Sequence, residues 1–347
     1  MTGALVIDAS TWDSTTVRAS WMADDLPFDY GSTGGAFSLN DGETHVEVRG
    51  GGAPGDPPTI DWWPKGEDGF VQSRLVTTAG GALDVSASYL PESHRLELIG
   101  TVPLGVVDTL AFATRDPVRQ SAAALYRALT AEGVAIDGGW RIEWDPGVPY
   151  GNGCVTGALP PCPSGRVLRG LGSPVLTEVL AGDLPLSQNW MAEQILRTLG
   201  AANGGRGSWT EGSTAAVRQL AAGAGIDTLD IRMVDGSGLS TQDLLTPRAL
   251  IAILRYARSR PWGDEFRAAL PQPGGVRSTL GTRLTDLTGR LFAKTGTLTN
   301  VSALAGYVTD GRGREIAFAV LVNASNLPAA TTRQAIDEIV RALASRR

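Results

Sequence analysis

The spacing of apolar residues changes twice along these 347 residues, which limits the folds open to the chain. Over residues 1–100 the pattern alternates. Thr44-His45-Val46-Glu47-Val48-Arg49, Leu83-Asp84-Val85-Ser86-Ala87-Ser88 and Arg95-Leu96-Glu97-Leu98-Ile99 each have the period of two of a half-buried strand. Leu5-Val6-Ile7-Asp8 also reads as a strand, and Gly50-Gly51-Gly52-Ala53-Pro54-Gly55 and Asp56-Pro57-Pro58 punctuate the stretch.

Near residue 115 the period becomes helical. Asp116-Pro117 opens a helix, with proline at its first position, that stops at Gly133. Further helices are expected over Asn189–Leu199, with Gly200 as the stop, after Glu211-Gly212-Ser213, and from Thr246-Pro247. Strands then return at Leu291–Leu298, Ala303–Val308 and Ile316–Val322, and an amphipathic helix covers roughly Thr332–Ala344. Their short connections, such as Asp310-Gly311-Arg312-Gly313, make these strands antiparallel. The expected architecture is a β-rich module over 1–105 and an α/β (α+β) domain over 106–347, its sheet covered by the last helix.

Composition narrows the function classes. Thirty basic against 36 acidic residues give a net charge of −6 with no basic stripe, which argues against nucleic acid. No apolar run approaches the roughly 18 residues of a membrane span, and no export signal is recognisable in the sequence. Cys154 and Cys162 stand eight apart in a Gly/Pro-rich stretch. A small-loop disulfide, implying an oxidising compartment, and two unpaired thiols both fit that spacing. With only His45 and His94 besides, no zinc site or other metal is expected, and no cofactor motif is present. The glycines at 50–52 lack the Gly-Lys-Ser/Thr of a phosphate loop.

Two short motifs carry chemistry. Ala293-Lys294-Thr295-Gly296-Thr297-Leu298 lies on an apolar strand and holds one of only two lysines. There a lysine supplies positive field, a threonine hydroxyl binds a carboxylate, and glycine lets a peptide lie on the strand edge. Ser187-Gln188-Asn189 heads a helix, where the serine is either a plain N-cap or the first residue of an S-x-N element. The motifs are 107 residues apart (294 − 187).

With Leu186-Ser187-Gln188-Asn189-Trp190-Met191-Ala192-Glu193, Asp235-Gly236-Ser237-Gly238-Leu239-Ser240, Thr246-Pro247-Arg248-Ala249-Leu250, Ser278-Thr279-Leu280 and Ala305-Gly306-Tyr307-Val308, the whole chain resembles one family. It is the penicillin-binding D-alanyl-D-alanine carboxypeptidases and endopeptidases of the peptidase S13 type. The resemblance implies a penicillin-recognising, β-lactamase-like domain with an antiparallel sheet, interrupted by a β-rich inserted module. It implies peptidoglycan stem peptides as substrate, β-lactams as ligands, and a periplasmic or extracellular setting. By the same resemblance Ser187 relays a proton to the leaving amine and Asn189 holds the acyl-side amide. Lys294 tunes the hydrogen bonds of Ser187 and with Thr295 binds the terminal carboxylate, Gly296 lets the peptide lie on the strand edge, and the Thr297 N–H is half of an oxyanion hole.

One family block is missing. The nucleophile is the serine of Ser-x-x-Lys, yet Trp62 stands three before Lys65 and Leu291 three before Lys294. A chain that begins after that motif, or a homologue that binds stem peptides without cleaving them, both account for this. On the first account the strand at 316–322 is expected to show an unpaired edge. Other hydrolases fit worse. The nearest G-x-S-x-G elbow has Asp235 in place of its first glycine, and the last histidine, His94, precedes every candidate serine discussed.

Overall fold

The computed structural model describes residues 2–90, 93–145 and 170–347. Along the chain run β1 (Leu5–Asp8), β2 (Glu43–Arg49), β3 (Thr59–Trp63), β4 (Val71–Thr78), β5 (Asp84–Tyr89), β6 (Leu96–Pro103) and β7 (Val107–Ala113). Then come α1 (Pro117–Ala131), β8 (Trp140–Glu143), α2 (Leu176–Asp183), α3 (Asn189–Ala202) and α4 (Trp209–Ala224). The remainder is β9 (Ile231–Arg232), β10 (Leu244–Leu245), α5 (Pro247–Arg258), α6 (Gly263–Ala269), β11 (Leu291–Leu298), β12 (Val301–Thr309), β13 (Glu315–Val322) and α7 (Ala329–Ala344). Cys154 and Cys162 lie outside the described residues.

Contacts divide the chain into two compact units. The first comprises Met1–Leu168, Asn189–Ser213 and Asp235–Thr241, and the second the remaining stretches. Residue 105 is not a boundary in this division, because β7 pairs with β2 along its whole length.

In the first unit two three-stranded sheets, ordered β3-β2-β7 and β4-β6-β5, share a core. The alternation in β2 has its expected result: Thr44, Val46 and Val48 are buried, and the two valines join Phe70, Leu75, Leu96, Leu98, Val102 and Phe112. The ladders are not all antiparallel, since β4 runs parallel to β6 and β1 parallel to β8. The N-cap of α1 is Asp116, which accepts from the Arg119 N–H at 3.0 Å.

Helix α3 does not stop at Gly200, as its sequence suggested, but continues to Ala202. A Cβ at Gly200 would come within 2.7 Å of the Gly212 nitrogen, and one at Gly212 would collide with the Leu196 carbonyl. Those glycines mark a close helix crossing rather than a helix end. The next helix accordingly begins earlier than expected, at Trp209, where Ser208 Oγ accepts from the Glu211 N–H.

The second unit is built on the antiparallel sheet β11-β12-β13, with Lys294 opposite Ala305 and Gly296 opposite Ala303. One face is covered by α7, whose Ile336 and Val340 meet Leu291, Ala293, Leu304, Val308 and Phe318. On the other, Phe292 and Tyr307 pack against Leu254 and Leu270, and the Tyr307 hydroxyl donates to the Leu254 carbonyl at 2.6 Å. Among the described residues β13 has a strand partner, β12, on one side only. Leu304 is fully buried at the centre of the sheet. Leu304→Ala should therefore lower unfolding free energy by about 2–5 kcal/mol, read as an earlier urea midpoint at unchanged slope. An unmoved midpoint would contradict this core.

Candidate active site

In the second unit the turn after α2 aims Ser187. The Asp183 carbonyl accepts from the N–H groups of Leu186 at 3.1 Å and Ser187 at 2.9 Å, tightening the chain into one turn. Ser187 itself has φ of +64°, in the left-handed region that non-glycine residues enter rarely and at a cost of about 1–2 kcal/mol. Its hydroxyl then meets β11: the Lys294 ammonium donates to Ser187 Oγ at 2.5 Å and to the Thr295 carbonyl at 3.0 Å. Residues far apart in sequence are thus brought into direct contact.

Lys294 is largely desolvated, which lowers its pKa to about 8, while the nearby Asp183 carboxylate works in the opposite direction. Asp183 is 6% exposed. The ammonium is therefore mostly charged at neutral pH, yet close enough to its pKa to give up a proton.

Thr295 and Thr279 join hydroxyls at 2.9 Å, and the Thr279 N–H donates to the Pro185 carbonyl at 3.0 Å. Along β11, Leu291, Phe292 and Ala293 are buried, Lys294 and Thr295 half-buried, and Gly296 and Thr297 exposed. The strand thus emerges from the core at its motif. A Cβ at Gly296 would meet only Ala303 at 3.5 Å, ordinary van der Waals contact. The chain itself does not demand glycine there. A bare edge suits an extended peptide laid beside β11, whose outer side has no strand partner among the described residues.

In the first unit, Asn189 opens α3 and its amide donates to the Tyr30 carbonyl at 2.8 Å. One turn on, the fully buried Glu193 holds the Asp235–Ser240 loop. Its carboxylate accepts from Trp209 Nε1 at 2.7 Å and from the N–H groups of Gly236 at 2.9 Å and Ser237 at 2.8 Å. Asp235 completes the loop, accepting from Trp21 Nε1 and from the N–H groups of Gly238 and Ser240. Burial, then the charge of Asp235, raises the Glu193 pKa. Glu193→Gln puts an amide NH₂ where an N–H donor already points. It should cost about 2–4 kcal/mol of stability, visible as a lower thermal midpoint with loss of Trp209 indole protection from exchange. Native-like stability would show that the loop does not need this anchor.

Of the residues singled out in the sequence, Ser187, Lys294 and Thr295 come together, Gly296 and Thr297 lie exposed beyond them, and Asn189 is bonded to Tyr30. Sequence reasoning missed Asp183, Thr279 and Glu193 as parts of these arrangements. Thr279 and Glu193 lay inside motif blocks already noticed, whereas nothing local distinguishes Asp183. Among the described residues no cluster of His, Cys, Asp or Glu could hold a metal, and no helix is long and apolar enough to cross a membrane.

A model of the family described as D-Ala-D-Ala carboxypeptidase 3 (S13) matches residues 1–343. A D-alanyl-D-alanine carboxypeptidase of Actinomadura sp. (strain R39) is 30% identical over 346 residues, 94% of this chain and 60% of that protein. Carboxypeptidase DacB of Mycolicibacterium smegmatis is 37% identical over 189 residues, 52% of this chain and 40% of that one. This chain thus spans less than two thirds of these relatives. Penicillin-binding protein 4 of Haemophilus influenzae superposes with a TM-score of 0.80 at 22% identity, over 99% of this chain and 75% of that structure. That likeness shows a shared fold of mixed α and β elements.

Proposed function

Since the chain belongs to the D-Ala-D-Ala carboxypeptidase 3 (S13) family, we propose that it supplies the S-x-N and K-T-G elements of a serine-type D-alanyl-D-alanine carboxypeptidase. The substrate is a peptidoglycan stem peptide, and penicillin competes for the same place. The observation that carries this reading is the 2.5 Å contact between Ser187 and Lys294.

In this reading the serine of a Ser-x-x-Lys motif gives its proton to the motif lysine, from which Ser187 can be resupplied, and attacks the penultimate D-Ala carbonyl. An ester forms, the peptide C–N bond breaks, and the terminal D-Ala leaves as an amine. Ser187 Oγ, hydrogen-bonded to a charged Lys294, delivers the proton that amine needs. The same ammonium and the Thr295 hydroxyl draw in the terminal carboxylate, and the exposed Thr297 N–H faces the developing oxyanion. Water then hydrolyses the ester. Neither lysine of this sequence has serine three residues before it, so the attacking serine is not part of the sequence given.

We assign the inserted-module role to the β-rich stretch, expected over 1–105 but carried on to Ala113 by the pairing of β7 with β2, and the penicillin-binding role to the chain that follows up to 347. Peptidoglycan places the reaction in the periplasm or outside the cell, where a Cys154–Cys162 disulfide would persist. Thr295→Val keeps the strand and removes the hydroxyl. In protein that also carries Ser-x-x-Lys, D-Ala release from a stem pentapeptide should fall about tenfold or more, mostly through KM. Unchanged kinetics would detach Thr295 from carboxylate binding, and no D-Ala release by the unsubstituted protein would refute the proposed reaction.

A further inference from the structure

The first unit holds a groove of about 680 Å³ between α1, β8 and the turns at residues 66–70 and 93–95. No residue of the motifs discussed above lines it. Its volume is in the range of a disaccharide-sized ligand. Two aromatic side chains, Tyr126 and Trp140, are half-buried in its wall, offering ring area beside polar groups.

The charges around it are arranged unequally. Glu67 is held by Arg119 through two bonds of 2.7 and 2.8 Å, and Asp68 is paired with Arg127. Both acids are thereby neutralised, while each arginine side chain stays 44% exposed. The Arg119 guanidinium sits 5.8 Å from the Trp140 ring centroid, extending the flat surface. Arg95 is exposed and has no carboxylate partner among the described residues, so these groups leave a net positive charge.

Gln120 adds an unused donor. It is 7% exposed, its Oε1 accepts from the Glu67 N–H at 3.0 Å, and its Nε2 is buried without a partner. A buried amide N–H₂ left unbonded costs stability unless water or a ligand atom completes it.

From flat aromatic area, paired guanidiniums, one unpaired cation and one unpaired amide donor, we infer that this groove binds an anionic sugar. The ring faces take the apolar face of the sugar, Arg95 and Arg127 take a carboxylate or phosphate, and Gln120 donates to a hydroxyl or acetamido oxygen. The inference is independent of the reaction proposed above.

The test titrates the purified chain with three disaccharides, followed by calorimetry and by the Trp140 indole N–H resonance. They are an N-acetylglucosamine–N-acetylmuramic acid carrying a carboxylate, a phosphorylated N-acetylglucosamine disaccharide, and neutral diacetylchitobiose. At least one anionic sugar should bind saturably, shift the Trp140 resonance, and bind about tenfold or more tightly than the neutral one. Which anionic arm binds identifies carboxylate or phosphate as the recognised group. Arg95→Glu, an exposed change without an ion pair to break, should weaken that binding by about tenfold or more at an unchanged thermal midpoint. Arg127→Glu should weaken it comparably, with a lower thermal midpoint because its ion pair with Asp68 is lost. Equal affinity for the neutral sugar, no binding by either anionic sugar, or full affinity in Arg95→Glu would overturn the inference.

Discussion

Lys294→Met, in protein that carries Ser-x-x-Lys, should reduce acylation by penicillin by about 100- to 1000-fold while making the folded protein more stable at pH 7. The two effects have one cause. Burial drives the Lys294 pKa from 10.5 down to about 8, so at neutral pH the fold holds a charge it would shed more readily than the unfolded chain. Between about pH 8 and 10.5 the unfolded state binds more protons than the folded one, so wild-type stability rises with pH in that window. Below about pH 8 the penalty is complete, about 1–3 kcal/mol after allowance for partial solvent contact, and methionine removes it. The catalytic loss follows from removing the donor to Ser187 Oγ and the cation that attracts a carboxylate. Carboxylate affinity of the wild type should correspondingly fall as pH rises through about 8. Urea midpoints for the two proteins at pH 7 and pH 10, with acylation rates, decide it. A variant less stable at pH 7, or a wild type whose affinity is flat across pH 8, would mean that Lys294 is not held charged against its surroundings.

Fluorescent penicillin should leave the 347-residue chain unlabelled and label it stoichiometrically once a Ser-x-x-Lys segment is joined to it. Acylation needs a serine whose proton a nearby base removes, and neither lysine here follows a serine by three residues. Among the described residues, the one serine shown bonded to a lysine is Ser187, 2.5 Å from Lys294. If the chain alone is labelled, and Ser187→Ala abolishes the label, then Ser187 is the nucleophile and Lys294, with its pKa near 8, the base. That outcome would replace the proton-relay role proposed for Ser187. A label that survives Ser187→Ala would point to a different serine.

Several elements were legible because their causes are local. The strand Leu291–Leu298 has the predicted ends, and α1 and α5 begin where Asp116-Pro117 and Thr246-Pro247 supply a capping side chain followed by proline. The antiparallel order of β11, β12 and β13 follows from connections too short for a crossover. Ser187, Lys294 and Thr295 stood out for another reason, their residue types matching short motifs, and the structure sets Ser187 against Lys294.

What the amino-acid order determined by itself was therefore period, caps, turns and the identity of the reactive side chains, all written within a few residues of one another. The tertiary structure alone decided which distant faces meet. Gly200 reads as a helix stop until the Gly212 backbone is found against it. The parallel pairing of β4 with β6 leaves no trace in either strand's alternation. Asp183 becomes part of the Lys294 environment only through burial beside an ammonium 111 residues later (294 − 183). Local hydrogen bonds and side-chain period act over a few residues of chain, whereas desolvation and packing depend on which surfaces exclude water together.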